Sequence, residues 1–182
     1  MPHAVQLFDS ADSLAVHVAS FLHRGYLLGE ELHLITTSEH MAGIARQLGA
    51  LGCPVNDALA SRQLRWADAA STLRVLMPDG RIDHEHLRSL VRDIARTTTR
   101  VYGEMVDLLA ERGNLKGAVE LETAWNRALA GVPTSLLCGY SSGHFGDPGA
   151  SAALREICLQ HDDIRCCSTD LLGSWLVQKS QS

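Results

Sequence analysis

The sequence predicts an α/β fold, with a mostly parallel sheet flanked by helices on both faces. Two observations carry that prediction. Short β-rich apolar runs alternate with stretches of helical periodicity along the chain, and one run, Thr134-Ser135-Leu136-Leu137-Cys138-Gly139-Tyr140, is apolar almost throughout. Alternating strands and helices require crossover connections, which make neighbouring strands parallel. A continuous apolar strand suits a sheet covered on both sides.

The first strand is read at Val5-Gln6-Leu7-Phe8, closed by Asp9-Ser10-Ala11-Asp12. Leu14, Val18, Phe21 and Leu22 then recur at helical spacing, with Asp9, Ser10 or Asp12 as N-cap and Gly25 as the stop. Leu32-His33-Leu34-Ile35-Thr36-Thr37 is the second strand, followed by a helix from about His40 to Leu51 that Gly52 closes. Gln63-Leu64-Arg65-Trp66 reads as a third strand, leading through Asp68-Ala69-Ala70 into a short helix to Met77. Pro78-Asp79-Gly80 is a turn. Leu87, Leu90, Val91, Ile94 and Ala95 mark an amphipathic helix over Asp83–Thr98.

Arg100-Val101-Tyr102 is a strand broken by Gly103, with a helix starting at Met105 and ending at Gly113. A further helix covers Leu115 to Leu129, with Val119, Leu121, Leu129 and part of Trp125 on its apolar face. After the Thr134–Tyr140 strand come a Gly-rich loop over 141–149 and a helix from about Ser151 to His161; Ile164 to Cys167 adds an edge strand. No internal repeat or linker interrupts this pattern, so residues 1–182 are read as one domain.

Composition narrows the function. Hydrophobic residues make up 46% of the 182 and charged residues 20%, enough apolar material for a core and too little charge for disorder. Sixteen basic against 21 acidic residues give a net charge of −5, which argues against nucleic-acid binding. The apolar stretches are all shorter than the roughly 18 residues a membrane helix needs, and the N-terminus lacks a signal-peptide pattern, so a cytoplasmic protein is expected. Five cysteines, Cys53, Cys138, Cys158, Cys166 and Cys167, form an odd set without a C-x-x-C pair, which reads as reduced thiols.

Three blocks in order carry a resemblance: Arg100-Val101-Tyr102-Gly103-Glu104-Met105-Val106, Leu121-Glu122-Thr123-Ala124-Trp125-Asn126 and Ser135-Leu136-Leu137-Cys138-Gly139-Tyr140. Weaker agreement runs from His3 to His161. Together they resemble the MEDS domain, the methanogen/methylotroph sensory domain named after a dichloromethane-responsive regulator. That family in turn resembles the RecA/KaiC-type ATPases, which implies a RecA/KaiC-like core. Such a core here lacks a phosphate-binding loop: Asp9-Ser10-Ala11-Asp12-Ser13-Leu14 holds no glycine and no lysine, and two carboxylates would repel a triphosphate. The strand at Arg100 to Tyr102 ends in Gly103-Glu104 where a magnesium-binding aspartate would stand, so no ATP hydrolysis is expected.

Ligands of open α/β sheets bind at the carboxyl ends of strands. Those ends are Asp9-Ser10, Ser38-Glu39-His40, Gly103-Glu104 and Ser141-Ser142. The expected ligand-binding set takes Glu39 and His40 from one end and Arg100, Tyr102, Gly103 and Glu104 from another. Glu122, Trp125, Asn126 and Tyr140 complete it, with Tyr102, Glu104, Glu122 and Trp125 sharing one cleft. The structural readings are a Glu104 that caps the next helix or pairs with Arg100, and a buried Trp125 whose N–H finds Glu122.

No catalytic residue, cofactor or metal ligand set is expected. His84 and His86, two apart on a helix, point to different faces, whereas a zinc-binding pair stands four apart. His3, His40, His144 and His161 lie near strand ends, and whether they converge is a matter of tertiary structure. Cys138, inside a buried strand, reads as packing, and no G-x-S-x-G elbow occurs.

The resemblance implies a small-molecule sensory or signal-input domain that acts with a separate protein, such as a histidine kinase or an anti-sigma-type regulator. Homo-oligomer formation stays open. A ligand-free protein-interaction module derived from a lost ATPase is the rival, and an enzyme of unknown type the third reading.

Overall fold

A computed structural model describes residues 3–166 apart from Ala95 and Pro148. Its six strands form one sheet in the order β3-β2-β4-β5-β1-β6, every pair parallel. They are β1 (His3–Phe8), β2 (Glu31–Thr36), β3 (Leu64–Asp68), β4 (Thr99–Gly103), β5 (Thr134–Ser141) and β6 (Asp163–Cys166). The helices are α1 (Ala11–Leu27), α2 (Ser38–Ala50), α3 (Val55–Ala60), α4 (Ala69–Leu76), α5 (His84–Ile94), α6 (Met105–Glu111), α7 (Leu115–Ala128) and α8 (Ala150–Leu159). A 3-10 turn over Ser142–Phe145 occupies part of the expected glycine-rich loop. The expected edge strand from Ile164 is β6; its expected last residue, Cys167, and everything after it lie outside the described residues.

Two apolar cores sandwich the sheet. One joins α1, α2 and α3 to Ala4, Phe8, Leu32, Leu34, Tyr102 and Leu137. The other joins α4 through α8 to Val5, Leu7, Ile35, Val101, Leu136, Cys138 and Tyr140. Successive strand residues therefore alternate between cores, as a two-residue side-chain period requires.

One local expectation fails and one element goes unread, each for an identifiable reason. Gly25 does not end α1, which continues to Leu27. A Cβ at Gly25 would stand 2.6 Å from Arg100 Cδ and 2.8 Å from Leu32 Cδ2, so the glycine serves the close approach of α1 to the sheet. The α3 helix escapes the sequence reading because its six residues are too few to display a period, and only Ala58 is buried.

The sheet order sets where the strand connections diverge. From β2 the chain passes over the first core to β3 on one side; from β4 it passes over the second core to β5 on the other. Adjacent strands whose connections leave in opposite directions open a crevice at their carboxyl ends. Here those ends are Thr36-Thr37 and Gly103-Glu104.

Candidate functional site

Glu104 stands at this crevice, 1% exposed. It occupies the N-cap position of α6 but makes no side-chain cap bond. Its Oε1 instead accepts the backbone N–H of Thr37, and its Oε2 lies 2.9 Å from His40 Nδ1 and accepts the Tyr102 hydroxyl at 3.2 Å. Thr37 in turn caps α2, placing His40 in its first turn. The edge of His40 meets the Phe8 ring at the end of β1, with centroids 5.9 Å apart at 87°.

The charges follow from this packing. Burial pushes the Glu104 carboxyl up, but bonds from His40 and the Thr37 N–H outweigh it and hold the group below its ordinary value. The same bond raises His40 above its ordinary value against the cost of burial. Asp107, in the first turn of α6, accepts the Ser141 N–H at 2.7 Å and lies 3.0 Å from His144 Nε2. Burial raises it, and it is close enough to feel both Glu104 and His40. The carboxyl edge thus carries a polar line of two pairs, His40 with Glu104 and Asp107 with His144, whose charges act on each other. The side chains of His40 and His144 keep 19% and 21% exposure, so solvent reaches both ends.

The amino end of α1, beside β1, is not built as a phosphate cradle. Ser10 caps α1 by accepting the Ser13 N–H at 3.3 Å, which occupies an amide a phosphate would need, and Asp9 and Asp12 are exposed beside it.

The sheet divides the expected binding residues. Tyr102 and Glu104 join His40 on the α2 side; Glu122, Trp125 and Tyr140 are buried on the α7 side, so the single cleft expected from Tyr102, Glu104, Glu122 and Trp125 does not form. Arg100 sits near the amino end of β4, bonded to Glu30 and 5.2 Å above the Phe21 ring, not paired with Glu104. Glu39 is exposed. A Cβ at Gly103 would meet only Met105 Cε at 3.6 Å, an ordinary contact, so that position does not depend on glycine for a close approach. Trp125, 1% exposed, is core.

Glu122 heads a second buried group. Its Oε2 lies 3.2 Å from His3 Nε2, 3.3 Å from Cys138 Sγ and 3.4 Å from His161 Nε2, while Oε1 accepts the Tyr140 hydroxyl at 3.0 Å. Burial opposes the charge on Glu122, but the two histidines hold its carboxyl down at about 2. Burial and the nearby Glu122 push the Cys138 thiol well up. The four donor atoms of His3, Glu122, Cys138 and His161 all lie within 4.8 Å of one another. Asn126 supports this group from α7, and beside it a cleft of about 410 Å³ opens between His3, Asn126 and residues 129–134. Cys53, Cys138 and Cys158 are free thiols.

The sequence reading did not find Thr37, Asp107 or the partnership of His3 with Cys138. Those last two are 135 positions apart, and no local pattern links them. His86 pairs with Asp83 at 2.8 Å while His84 lines a groove between α5 and α7, so the two do point apart.

Comparison with solved structures finds a likeness to a KaiC-like protein from the hyperthermophilic archaeon Pyrococcus horikoshii, with a TM-score of 0.55 at 16% identity. The likeness covers 83% of this chain and 68% of that one and gives the fold as KaiC-like. Comparison with curated proteins finds no match. Among the described residues no helix is long and apolar enough to cross a membrane. The family description MEthanogen/methylotroph, DcmR Sensory domain matches residues 2–161, and the chain belongs to this MEDS family of sensory domains.

Proposed function

We propose that this chain is a small-molecule sensory or signal-input domain without ATP hydrolysis. It binds a small, partly apolar ligand at the carboxyl ends of β2 and β4 and passes the signal to a separate partner, such as a histidine kinase or an anti-sigma-type regulator. The observation that carries the reading is Glu104: a buried carboxylate in the crevice where α/β sheets take ligands, tied to both α2, through Thr37 and His40, and the start of α6. A ligand that competes for His40 or Asp107 alters the link between those two helices. Phe8, whose ring packs against His40, supplies apolar surface beside the carboxylate. The sensory family, the capped α1 terminus and the acidic Asp9 and Asp12 support a role other than nucleotide turnover. Cys138 favours packing over catalysis, because its proton is held by burial beside Glu122.

Thermal denaturation against short-chain alcohols, amines, carboxylates and halocarbons tests the reading. A binding compound present at about 100-fold over its dissociation constant stabilises the protein by about 2.7 kcal/mol. Glu104→Gln removes that stabilisation while leaving the folded state intact. A panel without effect, or stabilisation that survives in Glu104→Gln, refutes binding at this edge. The rival, a ligand-free interaction module, draws on Leu27 and Leu28 at the end of α1, 68% and 70% exposed. It requires partner binding that is lost in Leu27→Ser and unaffected by Glu104→Gln.

A further inference from the structure

The His3, Glu122, Cys138 and His161 group turns two imidazole nitrogens on one buried carboxylate oxygen, and its hydrogen-bond account closes only when a histidine takes a second proton or a cation stands among them. Asn126 Nδ2 donates to Gln160 O at 2.7 Å and to Gln160 Oε1 at 3.1 Å, which fixes the Asn126 oxygen as the end facing His3. His3 Nδ1 lies 2.8 Å from that oxygen and must carry a hydrogen. His161 Nδ1 lies 2.6 Å from the Ile157 carbonyl and must carry one too. In the neutral imidazoles both Nε2 atoms are then bare lone pairs, and both face Glu122 Oε2, itself an acceptor. Within this triangle of acceptors the Cys138 S–H is the donor, and it can serve one of them. His161 Nε2 makes no hydrogen bond although its side chain is fully buried.

Three acceptors and a thiol turned toward one point describe a cation site. We propose that His3 Nε2, Glu122 Oε2, Cys138 Sγ and His161 Nε2 bind a divalent transition metal of the zinc type in a closed, four-coordinate site. Tetrahedral coordination at ordinary zinc distances places neighbouring ligand atoms about 3.3–3.6 Å apart. Of the six separations among the four atoms, the three to Glu122 Oε2 and the one between His3 Nε2 and Cys138 Sγ run from 3.2 to 3.4 Å, and all six lie within 4.8 Å. One thiolate, one carboxylate and two neutral imidazoles balance the divalent charge and match the N and S preference of zinc over magnesium or calcium.

The surroundings are those of a supported metal site. Each histidine donates its other N–H, to an amide oxygen or a backbone carbonyl, and the free carboxylate oxygen accepts the Tyr140 hydroxyl. The cleft of about 410 Å³ beside His3 gives an ion a way in. Binding replaces the Cys138 sulfur proton, which leaves to solvent, as does any second proton carried by a histidine. The ligands come from β1, α7, β5 and the second residue after α8, so the ion ties the amino end of the first strand to the second core. It lies on the other face of the sheet from Glu104 and does not depend on the sensing proposed there.

Cobalt(II) titration of the chelator-treated full chain, with elemental analysis of the protein as purified, decides the matter. The expected result is one ion per chain, the intense visible bands of tetrahedral cobalt, and a near-ultraviolet thiolate-to-cobalt band that zinc abolishes by displacement. Cys138→Ser loses the thiolate band. Asn126→Ala, which frees the His3 ring, keeps the band position and weakens zinc binding by about 10–100-fold. Weak octahedral spectra without a thiolate band mean binding to exposed histidines and overturn the proposal, as does the absence of saturable binding. Should Cys138→Ser fail to fold, His161→Gln, which keeps every thiol, must still lose the tetrahedral cobalt bands, and bands that persist in it overturn the proposal.

Discussion

Tyr102 and Tyr140 lie on adjacent strands and leave the sheet through opposite faces, and each gives its hydroxyl to a different buried glutamate. Tyr102 donates to Glu104 at 3.2 Å and Tyr140 to Glu122 at 3.0 Å. The sheet therefore separates two polar centres, one at its carboxyl edge and one beneath α7, each embedded in its own apolar core. Because a carboxylate buried without partners costs several kcal/mol, each centre must be complete within its own face.

The first prediction concerns the His40–Glu104 pair. A double-mutant cycle with His40→Gln and Glu104→Gln gives a coupling of about 1.5–3 kcal/mol, the range for hydrogen bonds to charged groups. His40 is raised above 6.5, so its contribution is full below that pH and is lost as pH rises through the folded value. Glu104 is lowered below 4.5, so its contribution is present above that pH and is lost as pH falls through the folded value. The stability gap between wild type and His40→Gln is widest between about pH 4.5 and 6.5 and shrinks toward alkaline pH. Urea denaturation across that range checks it; a gap that grows above pH 7 contradicts the pairing.

Gly139→Ala destabilises by about 1–3 kcal/mol, because its Cβ would overlap the Tyr102 hydroxyl. In a Tyr102→Phe background the overlapping oxygen is gone and the added cost of Gly139→Ala falls. Equal costs in the two backgrounds would show that the hydroxyl is not the obstacle.

Magnesium-ATP gives no saturable heat in calorimetry and no phosphate release. The region after β1 has no lysine, and its helix terminus is already capped by Ser10. Micromolar affinity with turnover would require a phosphate site elsewhere on the carboxyl edge.

Trp125→Phe lowers stability by roughly 1–3 kcal/mol through lost packing in the second core, and leaves any ligand response of the Glu104 edge unchanged. Ligand titration of the folded variant is the check; loss of the response would mean that the two faces are coupled through the sheet.

The sequence by itself determined the alternation of strands and helices and the location of all six strands to within a few residues, Thr134–Ser141 most clearly. Hydrophobic period and turn residues are local properties, legible wherever a segment is long enough to show them. It also determined what the region after β1 lacks, because a phosphate loop is a contiguous motif. Tertiary structure decided the rest. Only the strand order β3-β2-β4-β5-β1-β6 puts Thr37 and His40 against Glu104 and sends Arg100 to the opposite edge to meet Glu30. Only the side-chain alternation within β4 and β5 splits Tyr102 from Tyr140, and only the pairing of β1 with β5 brings His3 to Cys138. Which buried charge finds which partner depends on strand neighbours distant in sequence, and no spacing along the chain encodes that neighbourhood.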